Sequence, residues 1–567
     1  MTAAPTTVLG RLLELHGEDP TALAVLDKRR GVWHPRTRAE VLGRVAALAD
    51  GFVTDGLAAG ETLILVADDG LDWLVVDLAA QAVGLRVCAL PAATPERILA
   101  AALRATGATV AVASGYAAAE RVLDVADAEG IALRAVLDTQ ELKPGAIRDP
   151  RHRALDELLT TEGDVAGLAA RVAALEPTDV AVLAVGTAAE RGGDPVRLNH
   201  AALLRSARLA ATAFDLGPKD RVLAFRAMAD PTDRCTTTYA AVVSGALLAI
   251  PESRAEVDAA LYEIAPTYVH VTRRWMDDVT TSIWARLESS SGLKGLLARG
   301  WTRRILAGRP LRGPLATLMA RYPIVEKLGL DRARNVLVSG SALGALERDF
   351  AAALRLPVRP GYALSEAGGV VTVGDALTGE PGDCGHPLPG IDLELDPADG
   401  SLVLRDEASG LRLDTGDMAR IEDGRLVLVG RRHDPVGDTP EAAAASLALE
   451  VALRDSIFVR EAVVAERDGR TVVVVEPSPE VLMRWASDAG IDFATLRGLV
   501  ATPEAVAHLR GILLEAGAPH GLTGIDDVVV LSDPLEEVPG VLTASDRVRR
   551  DVLLAHALRP ATAGRAG

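Results

Sequence analysis

The chain has 567 residues, 49% of them hydrophobic and 24% charged, with a formal net charge of −18. That length holds more than one domain and a large apolar core, and the acidic balance excludes the basic face that non-specific nucleic-acid binding needs. Cys88, Cys235 and Cys384 are too widely spaced for a disulfide framework or a cysteine zinc site and suit a reducing cytoplasm. In chain order, Thr37 to Asp55 reads as an amphipathic helix, Glu61 to Ala67 as a strand and Asp72 to Val83 as a helix, with apolar runs at Leu85 to Leu90 and Thr109 to Ala113. Such alternation predicts a parallel sheet covered by helices. The start of the chain lacks a basic-then-apolar leader pattern, so no signal peptide is expected. No run reaches the length of a membrane-spanning helix. Low lysine and high alanine and arginine usage is the composition of a GC-rich bacterial genome.

The segment Asp179 to His200, DVAVLAVGTAAERGGDPVRLNH, begins as a strand at Val180 to Val185, crosses a small-residue turn, and leads into a helix near Asn199. Strand, small-residue loop and helix is the order in which backbone N–H groups are presented to a phosphate. The stretch resembles, without gaps, the phosphate loop of the AMP-forming acyl-CoA synthetase (adenylate-forming) superfamily, D-x-A-x-I-I-Y-T-S-G-T-T-G-x-P-K-G-V-x-x-T-H. Asp194 stands at the pattern's lysine, Ala188, Arg191 and Pro195 stand at its glycines, and Glu190 adds a second acid.

Further motifs follow in the superfamily's order. From Ala201 to Ser253 the segment resembles L-P-L-A-H-x-x-E-R, with Asp230 at the substrate-site histidine, Asp233 and Arg234 as the acid–arginine pair, and a helix expected from Tyr239 to Leu248. Pro266 to Trp275 resembles the entry to the long helical insertion, about residues 270–334, that marks the long-chain branch. That insertion carries Arg299, Trp301, Arg303, Arg304, Arg309 and Arg312, which read either as a solvated helix pair or as a patch for peripheral contact with an anionic membrane. Asn335 to Gly369 resembles S-G-G-A-P-L … G-Y-G-x-T-E-T. The resemblance implies that Gly340, Ser341 and Ala342 lie against the nucleotide, that Tyr362 stacks on the base, and that Ser365 and Glu366 hold phosphate and magnesium. Thr415, Gly416 and Asp417 match the T-G-D whose aspartate binds the ribose hydroxyls, as a carboxylate suits a cis-diol. Gly430 to Asp434 matches G-R-x-x-D, implying a nucleotide role for Arg431 and a hinge at Asp434. An EDGR hairpin turn, Glu422 to Arg425, lies between the two motifs. Asp438 to Glu450 reads as an alanine-rich helix where the superfamily has a glycine-rich CoA-side loop, which argues against CoA. Strands are expected at Glu461 to Glu466 and Thr471 to Glu476. Gly540 to Arg550 resembles G-x-L-T-P-T-x-K-x-R-R, with Arg547 at the catalytic lysine; no lysine follows Lys327.

The resemblance implies an α/β fold: a large N-terminal domain of parallel-sheet and helix layers, 1–430, and a small α+β C-terminal domain, 431–567. Adenylation brings a carboxylate to the α-phosphate of ATP and needs N–H donors, magnesium and cations placed beforehand. A unit charge pair about 4 Å apart is worth about 4 kcal/mol at an effective dielectric of about 20, so exchanging a lysine for Asp194 opposes triphosphate binding. An arginine fork at 547 also replaces a point ammonium. The expectation is a divergent relative of long-chain fatty acyl-CoA synthetases with ATP-dependent adenylation lost or strongly reduced, binding a fatty-acyl or nucleotide ligand or a protein partner. The alternative is an active AMP-forming ligase with an atypical phosphate loop, because Tyr362, Glu366, Asp417 and Arg431 survive. ATP or AMP, with magnesium at Glu366, are expected as cofactors only where that site works. His200, His386 and His433 read as structural.

Overall fold

A computed structural model describes residues 4–140, 149–159, 163–185, 194–289, 300, 321–374, 380–406, 409–432, 440–467, 469–543 and 547–558. The phosphate-loop residues 186–193, the six insertion residues from Arg299 to Arg312, His433 and the hinge residue Asp434 lie outside them. The chain divides into two compact units. The first comprises Met1–His270, Leu328–Asn335 and Ala363–Val371, and the second Val271–Lys327, Val336–Tyr362 and Thr372–Gly567.

In the first unit a seven-stranded sheet runs in the order 152–154, 135–138, 110–113, 62–66, 86–90, 180–184 and 196–199. Its central strand Thr62–Val66 is buried at every position, as expected of a parallel strand covered on both faces. The helix Arg38–Thr54 opens with a capping box in which Thr37 and Glu40 satisfy each other's backbone N–H groups. Strands Tyr268–Thr272, Arg221–Leu223, Leu247–Ile250 and Leu23–Arg29 also pair side by side in parallel, with Val32–Thr37 antiparallel at the edge.

Two local readings change in this unit. Val196–Asn199, taken as loop, is a strand paired antiparallel with Val180–Ala184, and Asn199 then caps the next helix through Ala202 N–H at 2.8 Å. The helix expected over Tyr239 to Leu248 instead starts as a π-type turn, Arg234–Tyr239, continues through Ala240–Ser244, and stops at Gly245. Leu247–Ile250 is already the next strand. Small apolar residues there carry no period that separates helix end from strand start.

The second unit holds a four-stranded antiparallel sheet, Ile391–Leu395, Ser401–Asp406, Leu411–Glu422 and Arg425–Arg431. The EDGR turn joins its last two strands, with Asp423 and Gly424 both at positive φ, the backbone that a two-residue hairpin requires. A three-stranded sheet, Val459–Arg467, Arg470–Pro477 and Asp527–Val530, packs against Pro440–Arg454 and Pro503–Gly517. This is the small C-terminal α+β part of a mixed α/β molecule whose longer N-terminal part is built on parallel sheets.

Candidate functional site

In the second unit the hairpin brings two motifs together. Asp417 and Arg431, fourteen residues apart, are direct partners across the strands Leu411–Glu422 and Arg425–Arg431. Gly416 takes φ +68 immediately before Asp417, a backbone state that favours glycine, and the bulge that follows turns the Asp417 side chain inward. Arg431 Nε donates to Asp417 Oδ1 at 2.7 Å. The Tyr362 hydroxyl donates to Asp417 Oδ2 at 2.5 Å. Burial, and then the neighbouring Asp417 charge, push the Tyr362 phenol well above its ordinary range and keep it a donor. Arg547 Nη1 lies 4.0 Å from Asp417 Oδ1.

Asp417 itself is 4% exposed, whereas the side chains of Arg431 and Arg547 are 43% and 35% exposed. A buried carboxylate therefore faces three donor-bearing side chains, two of them open to solvent. Each carboxylate oxygen has two acceptor positions, so a cis-diol has acceptor capacity left at Asp417 beside Tyr362 and Arg431. Ser339, buried, ends the strand Asn335–Ser339; Gly340 is exposed and Ser341 and Ala342 are half-buried, in the same unit.

The other anticipated residues belong to the first unit. Ser365 is half-buried and its carbonyl accepts Gly368 N–H at 3.0 Å, while Glu366 is exposed. Asp194 is exposed just before the strand Val196–Asn199.

Asp233 and Arg234, at the acid and arginine positions of the resembled motif, face different partners. Asp233 meets Arg226 Nε at 2.6 Å and His270 Nδ1 at 2.8 Å. Arg234 turns the other way, to Asp77 at 3.5 Å and over the Trp73 ring at 4.7 Å. Neighbours in a helical segment point about 100° apart, so adjacent charges need not meet. Burial pushes Asp233 up, but Arg226 and His270 outweigh it and hold the carboxyl below its usual range. Asp230, at the substrate-histidine position, caps the following turn through Thr232 and Asp233 N–H, and burial raises it. His200 is buried and burial holds it down to about 4, and His386 meets the Gly424 carbonyl at 3.1 Å; both are structural.

Sequence reading missed the tyrosine hydroxyl as a partner of Asp417. It also missed Arg273 and Arg274, which sit inside the recognised run Pro266 to Trp275 and are 2% and 3% exposed. Two adjacent arginines at a strand-to-helix junction were the available signal.

The architecture is that of the adenylate-forming enzymes. Among solved structures, a benzoate CoA ligase from Burkholderia xenovorans LB400 superposes with a TM-score of 0.69 at 19% identity, over 96% of this chain and 99% of that one. The A-PCP didomain of a carboxylic acid reductase from Segniliparus rugosus, in complex with AMP, gives 0.70 at 17% identity, over 96% and 79%. In sequence, a long-chain-fatty-acid–CoA ligase of Mycobacterium bovis is 25% identical across 96% of this chain and 95% of its own length. The model of the AMP-binding enzyme family matches residues 16–411, and the chain belongs to that family. Among the described residues no helix is long and apolar enough to cross a membrane.

Proposed function

We propose that the protein binds an adenosine nucleotide and a long fatty-acyl chain but carries out ATP-dependent adenylation weakly or not at all. The observation that carries this reading is the corner at Asp417. Its carboxylate keeps acceptor capacity for a ribose, while the arginine at the lysine position lies 4.0 Å from it. A guanidinium drawn to a carboxylate is less available to a transferring phosphoryl group than a free ammonium. Asp194 at the phosphate-loop lysine adds a negative charge where a triphosphate needs a positive one. Tyr362 and Arg431 support retention of the nucleoside half, and the mycobacterial relative's name supports a long acyl chain as the second ligand. The domain boundary at 430/431, the hinge at Asp434 and the magnesium role of Glu366 belong to the same proposal.

A second reading, an active AMP-forming long-chain fatty-acid–CoA ligase, is favoured by the survival of Glu366, Asp417 and Arg431 together. Calorimetric titration separates the two. AMP is expected to bind with magnesium-ATP at least about tenfold weaker, a gap of about 1.4 kcal/mol. Equal or tighter ATP binding, with AMP release that depends on fatty acid and CoA, overturns the first reading and establishes the second.

A further inference from the structure

The densest set of buried charges in the second unit lies away from Asp417, where the helix Arg273–Ser289 meets the small C-terminal part. Arg273 Nη2 donates to Glu461 Oε2 at 2.7 Å, and its Nη1 lies 3.5 Å from Glu347 Oε1. Arg274 Nη2 reaches Glu476 at 2.9 Å and Glu536 Oε1 at 2.9 Å. In the opposite sense, Arg460 grips Asp278 with two parallel bonds of 2.7 Å, a fork on a carboxylate. Positions 273 and 277, and 274 and 278, are each one helical turn apart. The sequence RRWMDD thus sets two arginines above two aspartates on one side of the helix. The small part answers with three glutamates and one arginine.

The strand pairing indicates why those cations are needed. Glu461 and Glu476 are direct partners across Val459–Arg467 and Arg470–Pro477, and both are buried. Like charges directly opposite each other in a sheet are destabilising. Arg454 offsets Glu461 at 2.8 Å and Arg460 offsets Glu476 at 3.1 Å from within the same part. Arg273 and Arg274 supply the remaining positive charge from outside it.

This face of the sheet also carries the segment that ends in Arg547. Val463 and Val474, two residues along each strand and so on the same face, pack with Leu535, Val541 and Leu553. Arg549 N–H donates to the Val541 carbonyl at 2.7 Å and Arg547 N–H to Thr543 Oγ1 at 3.1 Å. The placement of Arg547 therefore follows the register of the small sheet on the helix.

We propose that Arg273, Arg274 and Arg460 form an ionic latch that holds residues 440–558 in the single register placing Arg547 beside Asp417. An apolar interface tolerates sliding, because any apolar area substitutes for any other. Here the guanidinium groups and carboxylates interlock, Arg274 and Arg460 sharing Glu476 and Glu536, and the arginine–acid order runs both ways. A shift of one turn therefore sets Arg273 and Arg274 against the wrong groups and leaves buried charge uncompensated. The same polarity makes the interface releasable, since separated ions regain hydration. The latch specifies position more than it adds stability, and its three arginines are positioning residues for Arg547.

Pulsed dipolar distance measurement between spin labels at Asp392→Cys and Glu515→Cys, both exposed and on either side of the latch, tests this. Burial pushes the thiols of Cys88, Cys235 and Cys384 up to about 12, so labelling falls on the introduced sites. The parent protein is expected to give one narrow distance. The double variant Arg274→Met/Arg460→Met should add a second population comparable in size to the first, and Arg274→Lys with Arg460 intact should recover the single distance. Melting temperatures read alongside separate loss of register from general unfolding. An unchanged narrow distance in the folded double variant overturns the proposal. Where that variant does not fold, Asp278→Arg, which sets like charge against Arg460 at a half-exposed site, replaces it. A second population there supports the latch and an unchanged distance overturns it.

Discussion

Two buried carboxylates in this molecule meet arginine in opposite ways. Asp233, in the first unit, is enclosed together with both of its partners, and Arg226 and His270 are 4% and 0% exposed. Asp417, in the second, is also buried, yet the side chains of Arg431 and Arg547 are partly exposed to solvent. In the first case every charge is spent on another charge of the chain. In the second the carboxylate keeps unused acceptor positions and its cations keep donors facing outward. Charge density alone does not distinguish structure from function here; the exposure of the counter-charge does.

Removing one member should break the comparison most sharply. Asp233→Ala removes the carboxylate that buried Arg226 and His270 both face, and denaturant unfolding should show a loss of about 3–5 kcal/mol. A smaller effect comes from His200, where burial outweighs the opposing pull of the Asp179 charge. Unfolded, it takes a proton near pH 6.5; folded, burial holds it down to about 4. Its contribution is fully present above pH 6.5 and is lost as pH falls toward 4, by about 3 kcal/mol at most. His200→Gln should flatten the stability profile over that window, and an unaltered slope would count against the assignment.

At the open corner the order of effects reverses. Asp417→Ala should cost only about 1–2 kcal/mol of stability, because both arginines are partly exposed, but should weaken AMP binding by about tenfold or more, read by calorimetry. Tyr362→Phe is the mildest change: about 1 kcal/mol or less of stability, with AMP affinity held within about threefold. A Tyr362→Phe variant that loses AMP binding altogether would make the hydroxyl a direct ligand contact.

What was legible in the sequence was what is local. The helix from Thr37, the buried strand at Thr62–Val66 and the hairpin at Asp423 and Gly424 are each specified within a few residues, and they appear where the pattern put them. The pairing of Asp417 with Arg431 followed from that hairpin, because strand register fixes which side chains are opposite. The alanine-rich segment became the helix Pro440–Arg454, as its propensity suggested. Non-local chemistry was hidden. Arg273 finds Glu461 188 residues away and Arg274 finds Glu536 262 away, distances at which no periodicity carries information. Asp233 and Arg234 stand next to each other in the motif, yet their partners, Arg226 and His270 for one and Asp77 for the other, lie elsewhere in the chain.

The arginine at position 547 has one more chemical consequence. Lysines occur only at positions 28, 143, 219, 294 and 327, so residues 328–567 contain no side-chain amine. A guanidinium, protonated at any physiological pH, is a poor nucleophile, whereas a lysine amine with a lowered pKa attacks activated carbonyl groups. The cation beside Asp417 therefore offers no side-chain amine to acylating agents, and enzymatic lysine acetylation has no target in residues 328–567 with which to silence it.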